Sequence, residues 1–255
     1  MKIKMIFIIS WSGQHENACR IANQIEKNGN KACIVYSDPD THFVLSTDSQ
    51  VIRRPNELFW ADKFKACLDA VGSEGMLVIH ADCQCNDWSK LVDRCQDVVD
   101  KYKDIGVWAP KISGTYWHVN ATKIVKLNNS DLVFSAMTDG IVFYLAPVII
   151  DRMRRVDYTS SKFGWGIDAL FCSYAHTFNK MVVIDLMINV EHPREKTGYD
   201  MNKAKKGQEI FLKNFTFHER IKYELLLSHV RYNYVKMKEL KEKIKKSIEN
   251  KVNNI

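Results

Sequence analysis

Three polar clusters along this chain contain side chains that could bind cations or move protons. The first is His-Ala-Asp at residues 80–82, the second is Gly-Trp-Gly-Ile-Asp at residues 164–168, and the third is Glu-His-Pro at residues 191–193. Carboxylates suit Mg²⁺ or Mn²⁺, and imidazole is tolerated better by Mn²⁺. Asp82 and His192 are therefore candidate metal ligands. His80 could ligate a metal, contact a phosphate or only pack.

The first and third clusters each follow an apolar run of the kind that forms buried strands. Residues 77–79 precede the first cluster, and residues 182–190 precede the third. Such runs predict strands of a parallel sheet, and open α/β sheets bind ligands just outside the carboxyl ends of their strands. His192 is also followed by Pro193, which holds it rigidly, as a metal ligand needs to be held.

The second cluster combines a glycine turn with an aromatic ring and an acid. Glycines allow close backbone approach to a ligand, and Trp165 could stack on the face of a sugar. Asp168 could take the proton of a hydroxyl, or it could simply complement the dipole of a helix that begins there. Asp139, which precedes a glycine, could bind hydroxyl groups or be an ordinary turn residue.

The elements that must position these clusters follow an α/β pattern. A strand at 4–10, a helix at 17–27 and a strand at 31–36 predict a βαβ unit with a right-handed crossover. Residues 41–56 are expected to be irregular. Later strands are predicted at 105–109, 122–127, 131–134, 140–145 and 181–190, and helices at 57–71, 88–101, 146–154 and 167–177. The strands at 122–127 and 131–134 are expected to pair in antiparallel fashion, so the predicted fold class is α/β, with a Rossmann-type mixed sheet flanked by helices.

Several other chemistries lack their sequence signatures. The loop at 10–15 contains neither Gly-x-Gly-x-x-Gly nor a Walker lysine, and the chain has no Gly-x-Ser-x-Gly elbow. Cys83 and Cys85 are separated by one residue, which does not match the usual spacing of a structural zinc site. The seven cysteines are odd in number and show no disulfide framework, which favours reduced thiols in the cytosol.

The basic charge of the chain is concentrated in residues 201–255. This segment contains 14 Lys and Arg against 6 Asp and Glu, a formal net charge of +8, whereas residues 1–200 sum to −1. We therefore predict a main domain at 1–200 and a basic helical tail at 201–255, with one long helix at 218–249. That helix could pack on the domain, self-associate or lie on an anionic membrane surface, whereas the lysine-rich composition without an RNA-binding motif does not favour nucleic acid.

The hydropathy of the chain gives an expectation about its location. No apolar run approaches the roughly 18–20 residues that span a bilayer. Residues 1–10 contain two lysines and a short apolar core without a small-residue cleavage site, which favours a first strand over a signal peptide. We predict a cytoplasmic protein, with the inner face of the membrane as a second location if the basic helix binds lipid.

With these clusters in this order, residues 3–195 resemble glycosyltransferases of the GT-A fold, in the nucleotide-diphospho-sugar transferase superfamily. Members of this family have an acidic motif, usually Asp-x-Asp, after a central strand. Here the motif is His-Ala-Asp at 80–82, so a histidine replaces the first acid. The resemblance implies that Asp82 and His192 hold Mn²⁺ or Mg²⁺ on the diphosphate of a nucleoside-diphosphate sugar.

The resemblance also implies roles for residues on both sides of this metal. It divides the main domain into a nucleotide-binding half at 1–110 and an acceptor-binding half at 111–200. The residues predicted to contact the nucleotide or its phosphates are Ser10, Trp11, Asp38 and His80. On the acceptor side, the predicted residues are the catalytic base Asp168 and the acceptor-binding Asp139 and Trp165. The alternative for Asp38 is an ordinary turn.

Three basic residues are also considered as partners of the phosphates. Arg194 and Lys196 could offset phosphate charge if the site is poor in metal. Lys63, on the helix that precedes the first cluster, is expected to be solvated rather than to reach a phosphate.

The implied activity is metal-assisted transfer of a sugar from a nucleoside-diphosphate sugar to a hydroxyl of a glycan or lipid-linked glycan, with inversion favoured over retention, in the synthesis of a bacterial surface polysaccharide. One alternative is a nucleotidyltransferase of the same fold. Such enzymes usually carry a Gly-rich basic loop after the first strand, which residues 10–15 lack. The other alternative is a noncatalytic module that binds a nucleotide or a glycan.

Overall fold

The computed structural model describes residues 3–115, 117–128, 130–193 and 199–252. The strands in these ranges are β1 (Ile3–Trp11), β2 (Ala32–Ser37), β3 (Gln50–Arg53), β4 (Gly75–His80), β5 (Ile105–Ser113), β6 (Lys123–Lys126), β7 (Leu132–Ser135), β8 (Val142–Leu145) and β9 (Met181–Glu191). The helices are α1 (His15–Glu26), α2 (Phe59–Ala70), α3 (Trp88–Lys101), α4 (Val119–Thr122), α5 (Pro147–Met153), α6 (Ile167–Thr177), α7 (Met201–Phe211) and α8 (Phe217–Val252).

The strands form one mixed sheet in the order β3-β2-β1-β4-β8-β5-β9-β7-β6. β3, β2, β1 and β4 are parallel neighbours, and β5 is parallel to β9. β8 runs antiparallel to both β4 and β5, and β7 runs antiparallel to β6 and β9. The predicted α/β class with a mixed sheet is confirmed, and so is the antiparallel pairing of β6 with β7.

The central strands are buried because both faces of the sheet are covered. All six residues of β2 are buried, and so are the five residues of β4 that precede His80. Strands covered on both faces contain continuous apolar runs rather than alternating ones. This explains why the sequence pattern located β1, β2 and β4 with little error.

Short elements account for the differences from the predicted pattern. β3 pairs with β2 inside the segment 41–56, which was expected to be irregular. It is a four-residue edge strand with only two apolar residues, too short to show a periodic pattern. α2 begins at Phe59, after a turn of 3₁₀-helix at Asn56–Leu58, rather than at residue 57.

The start of the basic tail contributes to the core. Phe211, Tyr223, Leu226 and Val230 are buried, and α8 packs against α4 and α6. Within the described residues, no helix is both long enough and apolar enough to cross a membrane. The boundary at residue 200 and the roles of the tail in self-association or lipid binding stay predictions.

An ion pair fixes the beginning of α8 to the main domain. Arg152 on α5 donates to both carboxylate oxygens of Glu219, at 2.8 and 2.9 Å. Glu219 also accepts a hydrogen bond from the backbone amide of Thr216 at 2.7 Å, which caps the helix. Because Glu219 is buried, removal of either charged partner would leave the other without its counter-charge.

Candidate active site

His80, Asp82 and His192 form one cluster at the carboxyl end of β4. His80 is the last residue of β4, and His192 directly follows β9. One ligand atom from each of the three side chains lies within 4.8 Å of the other two, and His192 Nε2 is 3.3 Å from Asp82 Oδ2. The residues predicted as metal ligands, together with His80, are therefore neighbours in the structure. We call His80, Asp82 and His192 the metal cluster, after the role predicted for them.

A backbone bridge brings the third residue of this cluster to the first two. The amide of Gln84 donates to the carbonyl of Glu191 at 2.9 Å, and the amide of Glu191 donates back to Gln84 at 2.8 Å. These two hydrogen bonds connect the turn after β4 to the end of β9. His192 lies one residue beyond the bridge, so it is aligned with Asp82.

His80 has the protonation state and orientation of a metal ligand. Burial lowers its pKa to about 4, so the imidazole is neutral at pH 7. The ring makes a hydrogen bond to the backbone of Gly140, whereas its Nε2 atom is buried with no hydrogen-bond partner among the described residues. A ligating histidine is neutral and is typically oriented by a hydrogen bond through its second nitrogen.

Asp82 and His192 form a charge-assisted pair. Burial alone would raise the pKa of Asp82, but the hydrogen bond from His192 and the nearby His80 hold it below its usual value. Burial alone would lower the pKa of His192, but Asp82 raises it above its usual value. A cation would replace the proton of this pair, and a set of two imidazoles and one carboxylate fits Mn²⁺ better than Mg²⁺.

Two further acids lie half-buried beside the cluster. Burial, followed by the charge of Asp168, raises the pKa of Asp139 to about 7, and Asp139 Oδ2 has no hydrogen-bond partner in the described ranges. Asp139 precedes β8, whose antiparallel direction brings its first residues to the end of β4. Asp168 lies in the first turn of α6, as predicted, and burial raises its pKa.

Hydrogen bonds orient the carboxylate of Asp168. Trp117 Nε1 donates to Oδ2, and the amide of Ala169 donates to Oδ1 at 2.8 Å. A Cβ atom placed on Gly140 would lie 3.7 Å from the Cβ atom of Asp168, so the two acidic segments are in contact. The structure therefore brings the predicted base and one predicted acceptor residue together.

The glycine turn before Asp168 allows close packing of α2. Gly164 and Gly166 have φ angles of +84° and +89°, which residues other than glycine rarely adopt. A Cβ atom on Gly164 would lie 2.6 Å from the ring of Trp60. Trp60 in turn contacts His80, with ring centroids 5.1 Å apart, so this tryptophan connects the turn to the metal cluster.

The predicted nucleotide side contains a buried chain of hydrogen bonds. Ser10 Oγ lies 2.8 Å from His15 Nδ1, and His15 Nε2 lies 3.0 Å from Asp38 Oδ2. The amide of Asp40 donates to the other oxygen of Asp38, and this hydrogen bond, with smaller contributions from His15 and Ser12, lowers the pKa of Asp38. Sequence reasoning missed His15. Its signal was a histidine just after the first strand, at the start of the helix.

Trp11 contacts the metal cluster and is not part of this chain of hydrogen bonds. Its ring is edge-on to His80, with centroids 6.1 Å apart. β1 and β4 are neighbours, and Ile9 pairs with His80, so Trp11 lies just beyond His80 along the sheet edge. Ser10 and Asp38 are together, as expected, and Trp11 joins them to the cluster.

Lys63 is a correction to the sequence analysis. It is 3% exposed rather than solvated, and its ammonium donates to Ser37 Oγ at 2.7 Å. Burial lowers its pKa to about 8. Lys63 lies one helical turn from both Trp60 and Cys67, on the face of α2 that packs against the sheet, which explains its burial. Arg194 and Lys196, expected to offset phosphate charge, lie outside the described residues.

A surface groove lies outside this cluster. Its volume is about 620 Å³, and it separates α1 from the segment 43–46. Residues of α1 line one wall, and residues 43–46 line the other. No residue of the metal cluster contributes to it, so its size carries no argument about the reacting centre.

Comparison with known proteins identifies the fold. No protein-family model and no characterised protein matches the sequence. Among solved structures, GalNAc-T7 with UDP, GalNAc and Mn²⁺ superposes with a TM-score of 0.57 at 12% identity, covering 78% of this chain and 44% of that one. The chain has the GT-A fold. It spans less than half the length of GalNAc-T7.

UDP-glucose pyrophosphorylase is similar along its whole length. The complex with UDP-glucose gives a TM-score of 0.50 at 11% identity, covering 83% of this chain and 100% of the other. The apo enzyme gives the same TM-score at 10% identity. The predicted resemblance to nucleotide-diphospho-sugar transferases is confirmed at the level of the fold.

Proposed function

We propose that this protein is a glycosyltransferase that moves a sugar from a nucleoside-diphosphate sugar to a hydroxyl of a glycan or glycolipid. One observation carries the proposal: two imidazoles and three carboxylates converge at the carboxyl end of β4. These residues are His80, Asp82, Asp139, Asp168 and His192. Ligands of open α/β sheets bind at this edge.

His80, Asp82 and His192 would hold Mn²⁺ or, less favourably, Mg²⁺. When bound, the cation would neutralise the negative charge that develops on the departing diphosphate. His80 is neutral and therefore ready to donate its lone pair, whereas a cation at His192 would replace the hydrogen bond that its Nε2 atom makes with Asp82. Trp11 and Trp60 contact the His80 ring and fix its orientation.

Asp168 would take the proton of the acceptor hydroxyl. Its raised pKa strengthens it as a base, and Trp117 and Ala169 hold its carboxylate in place. Asp139, with an unpaired buried oxygen, would accept a hydrogen bond from the acceptor, and Trp165 would contact the sugar ring. A base positioned for direct attack by the acceptor favours inversion.

The nucleotide would bind above β1 and β2. Ser10 and Asp38 belong to a preformed chain of hydrogen bonds, so this end of the site is rigid before the donor binds. Trp11 would contact the nucleotide next to the diphosphate. The proposed site of action is the cytoplasm or the inner face of the membrane, in the synthesis of a bacterial surface polysaccharide.

The nucleotidyltransferase alternative has one observation in its favour, since the chain covers the full length of UDP-glucose pyrophosphorylase. That reaction would release pyrophosphate from a nucleoside triphosphate and a sugar phosphate. The loop at 10–15 lacks the usual Gly-rich basic segment, which favours the transferase. A noncatalytic module would bind nucleotide without any turnover.

The first test is thermal stability with a panel of nucleotides and nucleotide sugars, with and without Mn²⁺. A ligand that binds only the native state raises stability by mass action, so a Mn²⁺-dependent shift with one diphosphate class would support the proposal. The absence of a shift with every nucleotide would contradict it. A shift with nucleoside triphosphates and pyrophosphate release would favour the nucleotidyltransferase.

The second test separates binding from catalysis. Asp168→Asn should retain the donor-induced thermal shift while turnover falls by about 10²–10⁴-fold, the usual contribution of a general base. Asp151→Asn makes the same chemical change at an exposed position on α5 and should retain full turnover. Equal turnover in the two variants would exclude Asp168 as the base.

A further inference from the structure

Four aromatic side chains form a continuous ledge at the rim of the site. Phe59 and Phe163 are 5.2 Å apart between ring centroids, and Phe163 stacks on Tyr199 at 4.4 Å with an interplanar angle of 12°. Trp165 Nε1 donates to the hydroxyl of Tyr199 at 2.9 Å. We call these four residues the aromatic ledge. They come from three separate segments of the chain.

The backbone of Phe59 is strained where it presents its ring. Phe59 has φ +56° and ψ −144°, a region in which residues with a bulky side chain are outliers. The ring is nevertheless 37% exposed, so burial of this side chain does not explain the strain. Strain of this kind persists where the surrounding structure imposes it, and it clusters at ligand-binding positions.

The ledge is continuous with the metal cluster. Trp60, the residue after Phe59, contacts the ring of His80 at 5.1 Å and packs beneath the glycine turn that carries Trp165. Asp168 lies three residues beyond Trp165, at the start of α6. A molecule extending from the metal cluster past Asp168 would therefore reach the ledge.

The chemistry of the ledge suits a pyranose ring. A sugar presents C–H groups on its faces and hydroxyls around its rim, so it binds aromatic faces that have polar groups beside them. Here the polar groups are the Tyr199 hydroxyl, which accepts from the Trp165 indole N–H, and the Lys162 ammonium, which lies 4.6 Å from the Phe59 ring centroid. Phe59 is exposed and the other three rings are half-buried, so the ledge is open to a ligand.

We infer that the aromatic ledge binds the sugar next to the one that receives the transferred residue. The acceptor is then an oligosaccharide of two or more pyranoses, and a single pyranose occupies only the position beside Asp168. This inference rests on the proposed function for the direction of the acceptor. The binding of a pyranose oligosaccharide can be measured without any turnover.

The experiment compares wild-type protein with Phe163→Leu, Phe59→Gly and Phe178→Leu on an array of pyranose oligosaccharides and single pyranosides. Phe163→Leu retains an apolar side chain but removes the stacking face. Phe59→Gly removes a ledge ring and releases its backbone, so it should not unfold. Phe178→Leu is the matched control, because Phe178 is also 37% exposed but lies at the far end of α6, about 15 Å from Asp168.

The expected result is oligosaccharide binding that is about tenfold weaker in both ledge variants and unchanged in Phe178→Leu. Single pyranosides should bind equally weakly to all four proteins. Equal oligosaccharide binding by wild type and Phe163→Leu would overturn the inference, as would the absence of wild-type binding to every oligosaccharide. Preference for phosphatidylglycerol vesicles over glycans, lost in the ledge variants, would overturn it in favour of a lipid.

A nucleotide-binding assay separates this inference from the proposed function. The Mn²⁺-dependent thermal shift with nucleotide sugars should be the same in wild type and Phe163→Leu. If no nucleotide shifts the wild type but the ledge variants still lose oligosaccharide binding, the ledge is a glycan site and the transferase proposal fails. If nucleotides bind and the ledge variants transfer to oligosaccharides as well as wild type, only the ledge is refuted.

Discussion

The polar side chains at the two ends of one sheet edge differ in their hydrogen bonding. Above β1 and β2, Ser10, His15 and Asp38 bond to one another and to the backbone. Above β4 and β8, His80 Nε2 and Asp139 Oδ2 are buried without a hydrogen-bond partner among the described residues. At the first end, these side chains find their hydrogen-bond partners within the protein. At the second end, two buried polar atoms are left for a ligand to bind.

This difference has an energetic meaning. A buried polar group without a partner costs about 1–3 kcal/mol, and more when it is charged. The end above β4 and β8 therefore lowers the stability of the free protein, which a cation and an acceptor would recover on binding. The chain of Ser10, His15 and Asp38 has no such unpaired group, as expected of the rigid nucleotide subsite proposed above. The predictions below test this contrast.

The largest effect is expected from equivalent substitutions at the two ends. Asp82→Asn should reduce turnover by about 10³-fold or more, because it removes the only carboxylate of the metal cluster and with it several kcal/mol of charge stabilisation. Asp38→Asn should weaken nucleotide binding by about tenfold and leave the response to Mn²⁺ intact. Steady-state kinetics with a Mn²⁺ titration measures both. Equal losses of turnover and of the response to Mn²⁺ in the two variants would show that the two ends do not differ in function.

Lys63 tests whether a buried charge near the end of β2 also lowers the free energy of unfolding. Its pKa is about 8 in the folded protein against an ordinary value of 10.5, so between these values the unfolded chain binds the proton more tightly. Stability should therefore rise as pH increases from 8 to 10.5, by about 3 kcal/mol in total. Lys63→Met should be more stable at pH 7 by a similar amount and should lack this rise.

Urea unfolding at pH 7 and at pH 9.5 measures this effect. Lys65→Met, at an exposed position one turn from Asp69, is the matched control and should change stability by less than about 0.5 kcal/mol. Loss of stability in Lys63→Met would mean that the hydrogen bond to Ser37 outweighs the desolvation of the ammonium. A weaker response to nucleotide in Lys63→Met would add Lys63 to the phosphate-binding residues.

Phe59 tests whether the backbone is strained on the proposed acceptor side of the site. Phe59→Gly and Phe59→Ala both remove the ring, but only glycine accepts a positive φ without strain. The glycine variant should therefore be more stable than the alanine variant by about 1–2 kcal/mol. Thermal and urea unfolding of the two variants measure the difference. Equal stabilities would show that the backbone at this position is not strained.

The smallest effect is expected from Ser10→Ala. The Ser10 hydroxyl is buried and already bonded to His15, so its loss should cost about 1 kcal/mol of stability. Nucleotide affinity should change by no more than about twofold, because the hydroxyl would act on Asp38 only through His15. A large loss of nucleotide affinity with unchanged stability would instead place the Ser10 hydroxyl in direct contact with the ligand.

The sequence alone predicted most of the elements of this fold. The apolar runs of β1, β2, β4 and β9 and the periodic pattern of α1 are local signals, and their bounds agree with the structure to within a few residues. β3 was missed because four residues at a sheet edge contain too little pattern. The burial of Lys63 was missed because a lysine on an apolar helix face can usually reach solvent with its ammonium.

The candidate site was predicted as a set of residues rather than as a geometry. Asp82, Asp168 and His192 were selected from their local context together with the resemblance to GT-A glycosyltransferases, whereas no local signal showed that His192 lies 3.3 Å from Asp82. That proximity depends on the bridge between Gln84 and Glu191, which are more than a hundred residues apart. The hydrogen bonds of His15 and the aromatic ledge depend in the same way on contacts between separate segments.

By itself, the sequence determined most of the strands and helices, because hydrophobic periodicity and glycine positions act within a few residues. It also determined the chemical types available at the ends of those strands. The tertiary structure decided which of them meet. The reversed direction of β8 brings Asp139 to the end of β4, and the strand order brings β9 back to the turn that follows Asp82. Sheet order and strand direction are set by packing of the whole chain, so no window of the sequence contains them.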